Sequence, residues 1–121
     1  MKKIGLIVGL ALLCSPAFAA DQVYPGPQEG APNIYHQIFD NERARVSEIK
    51  FNPGDKAAMH THPYDHVLYI LEGGTLTLSY PDGTSKVVTA KAGDVMFMGK
   101  ETHSAVNTGT TTVRATVTEI K

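Results

Sequence analysis

Cysteine is nearly absent from this chain: among 121 residues there is one, Cys14, and it lies within the first twenty. Those twenty, MKKIGLIVGLALLCSPAFAA, carry Lys2 and Lys3, an apolar run from Ile4 to Leu13, a Ser15-Pro16 break and the small-x-small triplet Ala17-Phe18-Ala19. This is the layout of a secretory signal peptide, residues 1–19, with cleavage expected before Ala20. Lipoprotein signals place a small residue before the retained cysteine, and Leu13 stands there instead. The mature chain is then expected to contain no cysteine, which excludes disulfides and thiolate chemistry.

Long apolar runs are also lacking. The run in the leader is well short of the roughly 20 residues that span a bilayer, so a periplasmic or secreted protein with no membrane association after cleavage is expected. An excess of positive charge is missing too. Removing Lys2 and Lys3 lowers Lys plus Arg from 11 to 9 against 12 acids and moves the net charge from -1 to -3. Nothing in that balance attracts nucleic acid or an anionic membrane. A small-molecule ligand, an ion or a second copy of the chain is the partner expected.

About 100 mature residues suffice for one compact domain. Residues 20–33, with Pro25, Pro27 and Pro32 beside Gly26 and Gly30, have no apolar periodicity and read as a flexible N-terminal arm. From Ile34 to Lys121 the texture is different: short apolar stretches are closed by Asn52-Pro53-Gly54-Asp55, Glu72-Gly73-Gly74, Pro81-Asp82-Gly83, Ala92-Gly93-Asp94 and Asn107-Thr108-Gly109. Such spacing predicts an all-β sandwich or barrel. Within the stretches side chains alternate with period two, so that His66, Leu68 and Ile70 share one face and Leu76, Leu78 and Tyr80 another.

Histidine is scarce but concentrated. Of five, three fall in HTHPYDH, residues 60–66, and a fourth is His103. On a strand His60 and His62 project together, Pro63 forces a bend, and a hairpin-like return is expected to begin at His66. His103 shares a face with Ala105 and Asn107 on a separate strand. Any one histidine alone reads as exposed or hydrogen-bonded in a core. Three in one turn-and-strand unit favour a common divalent metal, because packed neutral imidazoles are costly to bury without a shared partner.

With these spacings included, the chain resembles the cupin superfamily. Gly54, His60, His62, His66 and Gly73 in GDKAAMHTHPYDHVLYILEG fall at the distances of the first cupin motif, with His66 where a glutamate is usual. GDVMFMGKETHSAVN is similar to the second motif through Gly93, His103 and Asn107. It departs from that motif at Gly99 and Glu101, and its approach to the histidine is one residue shorter. In detail the likeness is to small one-domain cupins, some named after β-alanine degradation. The resemblance implies a double-stranded β-helix, or jelly-roll barrel, over residues 34–121, a central metal held by His60, His62, His66 and His103, and frequently a homodimer. It does not fix a reaction.

Four neutral ligands would leave a bound ion its full charge and make it a stronger Lewis acid. Imidazole suits Fe, Ni, Cu, Zn, Co or Mn rather than magnesium or calcium. Asp65 is a further possible ligand beside His66. Met59, Met96 and Met98 would tilt the site towards Cu(I) if a thioether faced it, but Met96 and Met98 flank Phe97 in what reads as a buried strand, where methionine is ordinary core filler. Glu101, two residues before His103, is the candidate general acid or base, with Tyr64 and Asp65 behind it. Two functions follow: a metal- or ligand-binding cupin without catalysis, or a metal-dependent dioxygenase, lyase or isomerase acting on a small polar or carboxylate metabolite.

Overall fold

A computed structural model describes residues 21–121; the leader lies outside the described residues. The turn-bounded stretches form nine strands: β1 Tyr35–Asp40, β2 Ala44–Phe51, β3 Lys56–His62, β4 Asp65–Glu72, β5 Gly74–Ser79, β6 Ser85–Ala90, β7 Val95–Met98, β8 Glu101–Asn107 and β9 Val113–Ile120. They make two antiparallel sheets, one of five strands in the order β1-β2-β9-β4-β7 and one of four in the order β3-β8-β5-β6. This is the expected all-β, two-sheet architecture. No helix among the described residues is long and apolar enough to cross a membrane.

Alternation builds the core between the sheets. Along β9, Val113, Ala115, Val117 and Glu119 point inward and are buried, while the residues between them are half-buried. Beside them in the same sheet are Ile49 and Phe51 of β2 and Ile70 of β4, and the other sheet contributes Leu78 of β5 and Ala105 of β8. Each fully buried aliphatic or aromatic side chain contributes about 1.5–3 kcal/mol. Three of the turns need a conformation that L side chains rarely adopt: Gly54, Gly83 and Gly93 sit at φ 85°, 86° and 90°.

The inward series of β9 ends on a charge. Glu119 is 1% exposed and is held by both sides of the Arg45 guanidinium at 2.5 and 3.0 Å, with Gln28 donating a third bond at 3.1 Å. A carboxylate in this position is tolerable only because it is fully paired.

Part of the stretch expected to form an arm is packed on the barrel: Pro27 and Ala31 are buried, while Asp21, Gln22 and Val23 are exposed. Pro27–Gly30 make one helical turn, α1, with proline at its start, where the missing N–H costs nothing. Thr61 N–H donates to Pro25 C=O at 2.8 Å, which covers the free edge of β3. Ala31 and Ile34 are buried in the core. Gly30 permits this closeness, because a Cβ there would stand 3.1 Å from the Cβ of His60. The sequence signal for an arm was proline and glycine density, and here those residues serve a tight cap instead.

Two further expectations are corrected by topology. The chain does bend at Pro63, but β4 does not return beside β3: it pairs with β9 and β7 in the other sheet. The bend is a corner between sheets, not a hairpin. Strand β7 is an edge strand, so only Met96 and Met98 face the interior, while Val95 and Phe97 are each 67% exposed.

Candidate metal centre

Three of the four histidines come from adjacent strands of the four-stranded sheet. β3 and β8 pair antiparallel, which sets His60 opposite His103 and His62 opposite Glu101. A bulge between Ala57 and His60 makes this possible. Residues three apart on a regular strand face opposite ways, yet Ala57 and His60 are both fully buried, because the extra residue shifts the phase. His66 arrives from β4, across the barrel. All four residues are at most 4% exposed.

Donor atoms of His60, His62 and His103 lie within 4.8 Å of one another. Their rings are steeply inclined: 69° between His60 and His62, 82° between His60 and His103, and 55° between His62 and His103. Steep inclination lets in-plane lone pairs converge. His66 is arranged differently, stacked on His62 with centroids 4.2 Å apart and planes only 17° apart. Lone pairs of parallel rings run side by side, so His62 and His66 do not aim at one point in this arrangement. Asp65 is exposed, on the opposite side of β4 from His66. Met96 and Met98 face the interior across from Leu68 and His66.

Hydrogen bonds fix the tautomers. His60 Nδ1–H donates to Ala58 C=O at 2.7 Å, His66 Nδ1–H to Tyr64 C=O at 3.1 Å, and His103 Nδ1–H to Glu101 Oε1 at 2.7 Å. Each leaves its Nε2 lone pair free, the usual arrangement around a ligating imidazole. Glu101, considered above as a proton carrier, therefore orients His103. It is the first residue of β8. Its carboxyl is raised above the ordinary carboxylate range, chiefly by burial.

His62 has no such tether. Its Nε2 lies 3.1 Å from His60 Nε2, and its Nδ1 is buried without a hydrogen-bond partner, as is His66 Nε2. Unsatisfied buried nitrogens cost about 1–3 kcal/mol each. Burial, followed by mutual repulsion among the imidazoles, lowers His62 to about 2 and His60 to about 4. Burial and then His66 lower His103 to about 4. All three are neutral at pH 7, the form that binds metal. Neutral nitrogen donors around a buried point suit a transition ion and not magnesium or calcium.

Sequence spacing gave no reason to include Tyr35, which completes this cluster. Its hydroxyl lies 3.4 Å from His60 Nε2 and 3.3 Å from His62 Nε2. The phenol is 9% exposed, and burial, with the charges of Glu119 and Glu101, raises it well above its ordinary value. The cluster borders a small, partly open cavity of about 60 Å³ whose remaining walls are apolar, among them Phe51, Leu76, Val88 and Met96.

The family model for the cupin domain, Cupin_2, matches residues 47–119. The chain belongs to the cupin family. This cupin is 36% identical over 98 residues to the β-alanine degradation protein BauB of Pseudomonas aeruginosa, covering 79% of this chain and 98% of that one. A cupin domain from Bordetella pertussis superposes with a TM-score of 0.67 at 30% identity, over 83% of this chain and 98% of that one. The polyketide cyclase RemF of Streptomyces resistomycificus superposes with a TM-score of 0.56 at 26% identity, over 75% of this chain and 67% of that one.

Proposed function

We propose that this cupin is an exported metal-binding protein in which His60, His62 and His103 hold a divalent transition ion, with His66 beside them, at the end of a cavity that receives a small ligand. The observation that supports this most is the convergence of three mutually inclined, buried, neutral imidazoles, two of which have Nδ1 tied so that Nε2 is free. Such an ion supplies Lewis acidity towards an oxygen atom of the ligand. The protein's own part is to orient the rings, keep them neutral and shape the cavity.

The lining refines the class of ligand. A carboxylate or enolate end would face the histidines, but the walls beyond them are apolar, so the body of the ligand is hydrocarbon or aromatic rather than polar throughout. Export rests on the leader Met1–Ala19. Elemental analysis of the protein purified from its native compartment, without a nickel column, tests the reading. About one transition-metal ion per chain is expected, and a metal-free protein that takes up none of iron, zinc, copper, cobalt, manganese or nickel contradicts it.

A second reading, that the site is catalytic, is favoured by the cavity meeting the same side chains that would hold the ion. The polyketide cyclase among the similar structures has this barrel shape. Nitric oxide binding to the Fe(II)-loaded protein, followed by EPR, separates the two, since a catalytic site keeps a position open and a closed metal carrier gives no adduct.

A further inference from the structure

The three-histidine centre proposed above leaves the fourth corner to be assigned. We propose that Tyr35, through its hydroxyl oxygen, is a direct ligand of the ion held by His60, His62 and His103. The inference rests on that centre being a metal site and adds a donor that none of the histidine spacing implies.

Donors that share one ion at about 2.0–2.2 Å stand roughly 2.9–3.5 Å apart around it. The separations among Tyr35 Oη, His60 Nε2 and His62 Nε2 are 3.3, 3.4 and 3.1 Å, so all three fall in that interval. The same lengths serve the metal-free protein, where the single phenolic proton is donated to one of the two ring nitrogens. The phenol ring is set at 71° to His60 and 57° to His62, an edge-on approach that brings its oxygen, rather than its face, to the nitrogens.

The position of Tyr35 is built in several ways. It is the first residue of β1, paired with Ile49 of β2, and its N–H donates to Ala31 C=O at 3.0 Å just after α1. The packed lead-in therefore holds the tyrosine over the centre. On ligation the O–H bond breaks, a metal–oxygen bond forms and the proton leaves to solvent; no oxidation state changes in that step.

Ferric iron is the probe, because a coordinated phenolate gives a visible charge-transfer band that imidazole ligation lacks. The mature protein is loaded with Fe(II) without oxygen, oxidised with ferricyanide and examined by absorption and resonance Raman spectroscopy. The expected result is a visible band with enhanced tyrosinate ring modes, lost in Tyr35→Phe at unchanged iron content and retained in Tyr80→Phe and His66→Ala. Tyr80, whose ring lies 6.4 Å from that of His103, is the control. Iron bound one to one with no band in the wild type, or a band lost with Tyr80 instead, overturns the assignment while leaving the metal centre in place. Failure to bind iron or any other transition ion overturns the centre and the assignment together. Resonance Raman on the wild type decides the case if Tyr35→Phe does not fold.

Discussion

The two sheets contribute to the centre in different ways. The four-stranded sheet supplies His60, His62 and His103 from neighbouring, hydrogen-bonded strands, where register fixes their relative positions. The five-stranded sheet supplies Tyr35, His66 and the Glu119–Arg45 pair from four strands facing the first group across the barrel. Groups held by one ladder keep their geometry whatever occupies the cavity. Groups held across the core depend on how closely the sheets approach, which makes them the natural place for variation between otherwise similar barrels.

The sharpest way to break this comparison is to remove one imidazole from each sheet. His103→Ala should abolish measurable zinc binding in titration calorimetry, whereas His66→Ala should keep affinity within about tenfold, a difference of about 1.4 kcal/mol. Equal losses from both would erase the distinction between the sheets. A smaller effect is expected one step away from the ion. Glu101→Ala deprives His103 of the acceptor that sets its tautomer and should weaken zinc binding by about 10–100-fold. Glu101→Gln, which still offers an acceptor oxygen, should recover most of that affinity, and no recovery would point to the charge rather than the hydrogen bond.

The mildest perturbation is pH. The folded values of His60, His62 and His103 lie below their unfolded ones, so between about pH 6.5 and 4 the unfolded chain binds more protons. Stability of the metal-free protein is complete above that window and falls as the pH drops through it. The loss is up to about 1.4 kcal/mol per pH unit for each imidazole. Urea midpoints measured from pH 8 to 4 check the direction, and a flat profile would mean that the rings are not buried neutral. Bound zinc should be released only as the pH falls towards about 4, where the folded imidazoles begin to take up protons.

Much of this was legible in the sequence. Period-two alternation and glycine-bearing turns gave the two-sheet barrel, and the H-x-H pair on β3 with His103 on β8 gave the cluster. The Glu101–His103 bond was not read from the sequence, although both residues lie on β8 two apart and share a face. What escaped is what depends on pairing between distant strands. No local pattern marks the bulge at Ala58–Met59 that turns His60 inward, the corner that sends β4 to the other sheet, or the edge position that exposes Phe97. Tyr35 is separated from His60 by 25 residues with no motif between them, and only the packing of α1 and β1 on the barrel brings it there.

The central claim concerns convergence, and a crystal structure of the zinc-loaded protein tests it most directly. One zinc ion should lie about 2.0–2.1 Å from Nε2 of His60, His62 and His103 together. Zinc on fewer than three of these rings, or bound only at the surface, would contradict the account.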